Sequence, residues 1–229
     1  MLIIVIDKVS KRRGKMRNLE KDEIEMAARR ETMTEKGFLL FSEKGIEAVG
    51  MQEIANACGL GIATLYRYYK TKLALVLDIG VKKWEEYTEY IRALRKVRGA
   101  DSMTAAEELD FYLDFYIELY HNHKNLLRFN QNFNSFVQHE GATKEQLAPY
   151  RASIGVFEKL FHGVYEKGKR DGTIRTDMTE SKMFAATAHI MMAVGVRYAQ
   201  GLLYSADNEE DRTEEYRLLK RMILREFLA

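Results

Sequence analysis

A chain of 229 residues with one cysteine, one proline and 15 glycines can form no internal disulfide, and its composition excludes collagen-like, linker-rich and low-complexity classes. Its length is enough to bury about 70–75% of the surface the unfolded chain exposes, so folding requires neither disulfide nor metal. The 36 basic and 34 acidic side chains nearly balance, no run of 18 apolar residues marks a membrane span, and the lone thiol, Cys58, fits a reducing, cytoplasmic setting.

The opening Met1–Ile6 is apolar but short, with no basic leader and no small-residue cleavage site, so no secretory signal is expected. Six cations then follow without an acid between them: Lys8, Lys11, Arg12, Arg13, Lys15 and Arg17. Up to Lys72 the balance is 14 basic to 10 acidic. A basic end on a near-neutral body suggests a polyanionic partner at that end, a solvated tail being the plain alternative. Residues 1–20 are therefore read as a basic arm.

From Glu23 to Lys44, Ile24, Ala27, Ala28, Met33, Phe38, Leu40 and Phe41 recur mostly at three and four, the helical period. Gly45 reads as the cap that ends this helix. Two short helices are expected next, at 52–58 and 62–68, with Gly59-Leu60-Gly61 between them. Helices this short and this close fit a helix-turn-helix, with Gly59 at positive φ in the turn. Ile54, Leu60 and Leu65 supply its core, while Ile62, Ala63, Thr64, Arg67 and Tyr68 form the outer face of its second helix. Gly61 and the small side chains at that helix's start permit close approach to a groove. Tyr66 and Lys72 are placed to donate to phosphates.

Thr71 reads as the N-cap of a long helix running to about Val97. Helices at 104–122 and 125–138 follow, then one from Pro149 to Lys169, with the proline at its start. Asp177 and Glu180 suggest a capping box opening a helix from Met178 to Tyr204, and a last helix spans about 211–228. The expectation is an all-α chain of about nine helices with no strand, divided into the arm, a 21–70 unit and a 71–229 unit.

Over about residues 24–77 the chain resembles the TetR/AcrR family of bacterial transcriptional regulators. The resemblance rests on Phe41 one turn before Gly45, on Ile54-Ala55 with Gly59 four residues after Ala55, and on Thr64-Leu65-Tyr66-Arg67-Tyr68-Tyr69 followed by Lys72. It implies a dimeric DNA-binding protein that holds a palindromic double-stranded operator, as a repressor released by a small effector. It implies phosphate contacts for Tyr66 and Lys72, and a base-reading surface of Thr64, Arg67 and Tyr68. Tyr69 stands where the family usually has a core phenylalanine. Met51, Gly61 and Ile62 replace the family's usual Thr, Ser and Lys, removing a polar cap at each short helix, about 1 kcal/mol each. Ile62 and Ala63 are then candidates to meet thymine methyls, and Arg12 and Arg13 to supply charge from a minor groove.

The same resemblance implies an effector pocket in the aromatic half. Its candidate walls are Trp84, Tyr87, Phe115, Tyr116 and Phe133, with Asn130, Gln131 and Asn134 as polar contacts; core packing is the competing role for the aromatics. A hydrophobic effector is expected, of no determined identity. In the last two helices, Tyr198, Tyr216, Leu219, Met222, Ile223 and Phe227 are assigned to a four-helix homodimer interface, the subunit's own core being the alternative. No cofactor or metal is expected. His121 and His123 diverge by about 200° on a helix, and His139, His162 and His189 are read as lacking an acid or cysteine at ligand spacing. No catalytic motif is present. Two other readings stay open: the same fold controlled by a protein partner, and a helical enzyme with a buried aromatic site.

Overall fold

A computed structural model describes the backbone of residues 2–201 and 208–229, and the side chains from residue 22 onward within those ranges except Glu209. The described residues form α1 (Leu2–Lys44), α2 (Met51–Ala57), α3 (Ile62–Tyr68), α4 (Lys72–Arg98), a 3-10 turn (Ala100–Ser102), α5 (Ala105–Asn122), α6 (Lys124–His139), α7 (Lys144–Asp171), α8 (Glu180–Gln200) and α9 (Glu209–Phe227). Extended pairing among them is limited to one bridge between Ile174 and Leu228. No helix among the described residues is long and apolar enough to cross a membrane.

The caps explain most boundaries. Gly45 and Gly99 adopt φ of +85° and +65°, a conformation that costs a side chain but not glycine. The Thr71 hydroxyl accepts the Ala74 amide at 3.1 Å, fixing the start of α4. Thr104 with Glu107, and Thr143 with Gln146, form capping boxes that open α5 and α7. The second box corrects the expected start of α7: the helix begins at Lys144 and Pro149 lies inside it. Asp177 is no cap either, because its carboxylate is held by Arg175, and α8 starts at Glu180. The expected end of α8 at Tyr204 lies outside the described residues. At the other end of the chain, α1 begins at Leu2 rather than Glu23, so the backbone of the basic arm is continuous with the helix. Ile24, Ala27 and Ala28 are exposed; the buried face of α1 starts at Met33.

One apolar core runs from Met33, Phe38 and Phe41 through α4 to Phe227. The last helix packs inward on it. Tyr216, Ile223 and Phe227 are buried within the single chain, and the Tyr216 hydroxyl donates to the Met191 carbonyl. Gly195 admits that ring, since a Cβ there would lie 2.9 Å from the Tyr216 oxygen. These three side chains therefore belong to the subunit's own core, which corrects their assignment to an interface. Leu219 is half-buried against the core, and Tyr198 is half-buried with its hydroxyl on Glu215. Ile190, Leu218 and Met222 face outward.

Glu108 on α5 is the most deeply buried carboxylate among the described residues, with its side chain 3% exposed. Arg95 of α4 meets it at 2.6 Å, and Lys167 of α7 donates to it and to the Ala100 carbonyl. The group ties three helices, and each charge depends on the others because a lone buried ion is costly. Replacing Glu108 with Ala should lower unfolding free energy by about 3–5 kcal/mol in denaturant titrations, since two cations lose their counter-charge.

Candidate functional site

The helix-turn-helix forms as its sequence requires. Gly59 turns the chain at φ +66°, letting the Leu60 amide bond back to the Ala55 carbonyl at 2.9 Å. Ile54, Ala55 and Leu65 are buried between α2 and α3, and Leu60 is half-buried. α2 is preceded by Gly50 and α3 by Gly61, and neither helix has a side-chain cap. Met51 contributes to the core instead. Space around Gly61 is open, with nothing within 4 Å of where a Cβ would stand, so the N-terminal turn of α3 is accessible.

Ala63, Tyr66 and Arg67 are exposed on α3, whereas Ile62, Thr64 and Tyr68 are half-buried. Ile62 and Tyr68 rest against the core. The Arg67 guanidinium lies 5.9 Å from the centre of the Tyr68 ring. Lys70, which the motif reading passed over, is also exposed. Lys72, the first residue of α4, folds back: its ammonium donates to the Glu47 carbonyl at 3.3 Å and sits 5.3 Å from the Phe136 ring centre. Burial holds its pKa below the usual lysine value. The side chains of Arg12 and Arg13 lie outside the described residues.

Tyr69 does more than fill a phenylalanine's place. Its ring is buried, and its hydroxyl donates to Asp78 of α4 at 2.5 Å while accepting from Arg30 of α1 at 3.1 Å. Arg30 also grips Asp78 through both carboxylate oxygens, at 3.0 and 3.1 Å. Burial, then the bond to Asp78, pushes the Tyr69 pKa far above the usual tyrosine value. One turn further along, Lys82 and Lys83 neutralise Glu31, Glu35 and Glu86. Apolar periodicity does not reveal the ties to α1, which join its side chains to partners 39 or more positions away.

Beyond these ties α4 enters a cavity of about 370 Å³. Trp84 and Tyr87 of α4, Phe115, Tyr116 and Leu119 of α5, Asn130 and Asn134 of α6, Tyr150, Ile154 and Phe157 of α7, and Phe184, Ala188 and Met192 of α8 line it. Asn134 and the cavity's two charged residues, Arg151 and Glu158, are exposed. Phe133 is not in this wall. Its ring is buried and stacks on Tyr150 with centroids 4.1 Å apart. Gln131 lines a neighbouring groove that shares Asn130 and Asn134 with the cavity. The walls on α7 and α8 were missed in the sequence, where the signal available was the spacing of Tyr150, Phe157 and Phe161.

The indole N–H of Trp84 donates to the Tyr150 oxygen at 3.2 Å, and Tyr150 donates to Asn130 Oδ1 at 2.8 Å. Burial raises the Tyr150 and Tyr116 hydroxyls to about 12, so both keep their protons at neutral pH. The Tyr87 hydroxyl donates to the Phe115 carbonyl.

Cys58 is half-buried with its thiol 3.8 Å from the Thr32 carbonyl, and burial raises its pKa, as suits an unreactive thiol. His162 has acids at ligand spacing after all: Glu166 lies one turn on, Glu180 is 2.9 Å away, and their ligand atoms fall within 4.8 Å of one another. The group is largely solvent-facing, and Lys169 holds Glu166 at 2.6 Å.

Residues 31–79 match the model of the family described as bacterial regulatory proteins, tetR family. The chain is 26% identical over 157 residues to an HTH-type transcriptional regulator of Staphylococcus aureus (strain MRSA252), covering 69% of this chain and 76% of that protein. Among solved structures it resembles the transcriptional regulator FadR from Bacillus subtilis, in complex with stearoyl-CoA, with a TM-score of 0.65 and 15% identity over 84% of this chain and 96% of that one. It also resembles AibR, in complex with isovaleryl coenzyme A and operator DNA, with a TM-score of 0.60 and 18% identity over 85% and 97%.

The Arg30–Tyr69–Asp78 group predicts a measurable tie. Tyr69→Phe keeps the ring and the Arg30–Asp78 pair but removes a hydroxyl bonded to charged partners. Unfolding free energy should fall by about 1.5–3 kcal/mol, the range for hydrogen bonds to charged groups. A change below about 0.5 kcal/mol would make the hydroxyl incidental.

Proposed function

The chain belongs to the TetR family of bacterial regulatory proteins, and from that premise we propose that it is a cytoplasmic, homodimeric repressor released from a palindromic operator by a small apolar effector. The observation that carries this reading is the single helix α4, which holds Lys72 beside the helix-turn-helix and Trp84 and Tyr87 in the cavity wall. Twelve residues of helix separate Lys72 from Trp84, about 18 Å at 1.5 Å per residue. A ligand that displaces the wall tilts the rod, and with it the recognition helix. Residues 21–70 act as the DNA-binding unit and 71–229 as the effector and dimerisation unit, with 1–20 as an arm on DNA. The complexes of FadR with stearoyl-CoA and of AibR with isovaleryl coenzyme A and operator DNA support a ligand-responsive reading for a chain of this fold.

In this reading two copies of α3 enter successive major grooves, about one helical turn or a multiple apart. Ala63, Thr64, Arg67 and Tyr68 face bases, and the accessible turn after Gly61 receives the backbone. Tyr66 contacts phosphate directly. Lys72 does so by leaving the Glu47 carbonyl. The dimer seam forms on the outward side of α8 and α9, where Ile190, Leu218 and Met222 leave apolar surface exposed. Met222 is the one member of the expected set fully available there; Leu219 and Tyr198 border it.

Titration of the DNA upstream of the protein's own gene tests the reading. Tyr66→Phe and Lys72→Ala should weaken binding to all sequences, and Lys72→Ala should flatten the salt slope by about one unit per subunit. Arg67→Ala should instead relax preference at particular base pairs, by about 1–3 kcal/mol. An unchanged affinity and salt slope in Lys72→Ala would misplace the DNA-facing surface.

The seam makes a separate prediction. Leu218→Asp with Met222→Asp should yield folded monomers by sedimentation, with an unchanged melting temperature extrapolated to low concentration, and operator affinity should fall with dimerisation. Ile223→Asp should unfold the subunit itself, because an unpaired charge in its core costs several kcal/mol, about 3–5. A full-affinity dimer in the double variant would move the seam elsewhere.

A further inference from the structure

The chain of hydrogen bonds behind the cavity sets which kind of polar group the cavity accepts. An indole N–H donates and accepts nothing. Because Trp84 donates to the Tyr150 oxygen, the phenolic hydrogen goes onward to Asn130 Oδ1. That bond fixes the amide: its carbonyl faces Tyr150, and its NH2 group, on a residue that lines the cavity, donates to no other group among the described residues. The other hydroxyls of the wall are engaged, Tyr87 with the Phe115 carbonyl and Tyr116 with Tyr112. Charged lining residues stand only at the exposed mouth, so an ionised group deep inside would lose its hydration without a counter-ion.

We propose that the cavity selects an apolar molecule bearing a neutral carbonyl oxygen (a ketone, ester, amide or thioester), seated on the Asn130 amide hydrogens, and that Asn130 is the specificity-determining residue. This deepens, and rests on, the reading of the cavity as the effector site. The body of the ligand lies against Trp84, Phe157 and Phe184. The same relay carries the event to α4. The Tyr150 ring lies against the helix at Gly80, where an added Cβ would sit 3.0 Å from it and 3.1 Å from the Phe133 ring stacked on its face. A ligand that pulls on Asn130 therefore pulls on a ring seated directly on the rod and bonded to Trp84.

The test uses the full-length protein and its one tryptophan. Octanophenone and octylbenzene share a ring and an alkyl chain, and only the first has a carbonyl. Quenching of Trp84 emission should give octanophenone about tenfold tighter binding, the equivalent of 1.4 kcal/mol. Asn130→Asp keeps an acceptor for Tyr150 but turns the free end from donor to acceptor. It should abolish the ketone preference, read as the ratio of the two probes' affinities at a pH where the carboxyl is ionised. Equal binding of both probes to the unaltered protein overturns the carbonyl inference and leaves the effector site standing. Binding of neither, by emission or by melting temperature, overturns the effector site and the inference with it. A ketone preference that survives in Asn130→Asp removes Asn130 from the role. If Asn130→Asp does not fold, the comparison of the two probes on the unaltered protein decides.

Discussion

Where α1 lies along α4, Gly37 removes the side chain that would hold the two helices apart: a Cβ there would meet Ile79 at 3.0 Å. The close approach brings Arg30 to Asp78 and Glu35 to Lys82 and Lys83. Isolated pairs of this exposure contribute about 0–1 kcal/mol each, but here they flank a buried apolar strip and fix its register. The rest of the molecule hangs on this seam. α2 and α3 are short, and too small to hold a core without α1 and the start of α4. The cavity in turn takes one wall from the same α4. The seam is packed rather than hinged, so α1 and α4 form one support for the two short helices.

A second connection runs through α6. Phe129 packs on Phe38 and Phe41, with centroids 5.8 and 6.5 Å apart, and the Ser42 hydroxyl reaches the Asn125 carbonyl at 2.9 Å. α6 also carries Asn130. The helix-turn-helix is thus held from two sides, by a helix that forms one cavity wall and by another that forms the opposite polar edge. The support of α1 therefore depends on how α4 and α6 are placed relative to each other. In contrast, α9 and the Glu108 group serve rigidity at the far side of the cavity, the latter tying α5 to α4 and α7.

Much of the fold was legible because it is governed by local rules. Gly45, Thr71, Thr104 and Gly99 mark helix ends through backbone geometry or a cap three residues away, so a reader of the chain finds them. The Asp177 and Pro149 readings failed for the opposite reason. Arg175 competes for the Asp177 carboxylate, and Thr143 with Gln146 offers a stronger start than proline does. The aromatic cluster on α5 and α6 was visible, yet its division was not. Phe133 and Tyr150 are equally aromatic, and only the crossing of α6 and α7 over Gly80 turns one into packing and puts the other at the cavity.

By itself the sequence determined an all-α chain, the helix-turn-helix between Gln52 and Tyr68, the long α4 that follows, and the tetR-type resemblance over about residues 24–77. The helices follow from composition, helical period and short-range caps, whereas the tetR pattern is a resemblance carried by particular motif residues. The tertiary structure alone decided which face of α9 is core, since Tyr216, Ile223 and Met222 all follow one apolar spacing and differ only in whether α5 and α8 cover them. It alone decided that the Tyr69 hydroxyl is bonded, because Arg30 and Asp78 come to it from distant positions. And it alone decided the polarity of Asn130, because a primary amide has donors and acceptors at once, and the partner that chooses between them, Tyr150 backed by Trp84, arrives from two other helices.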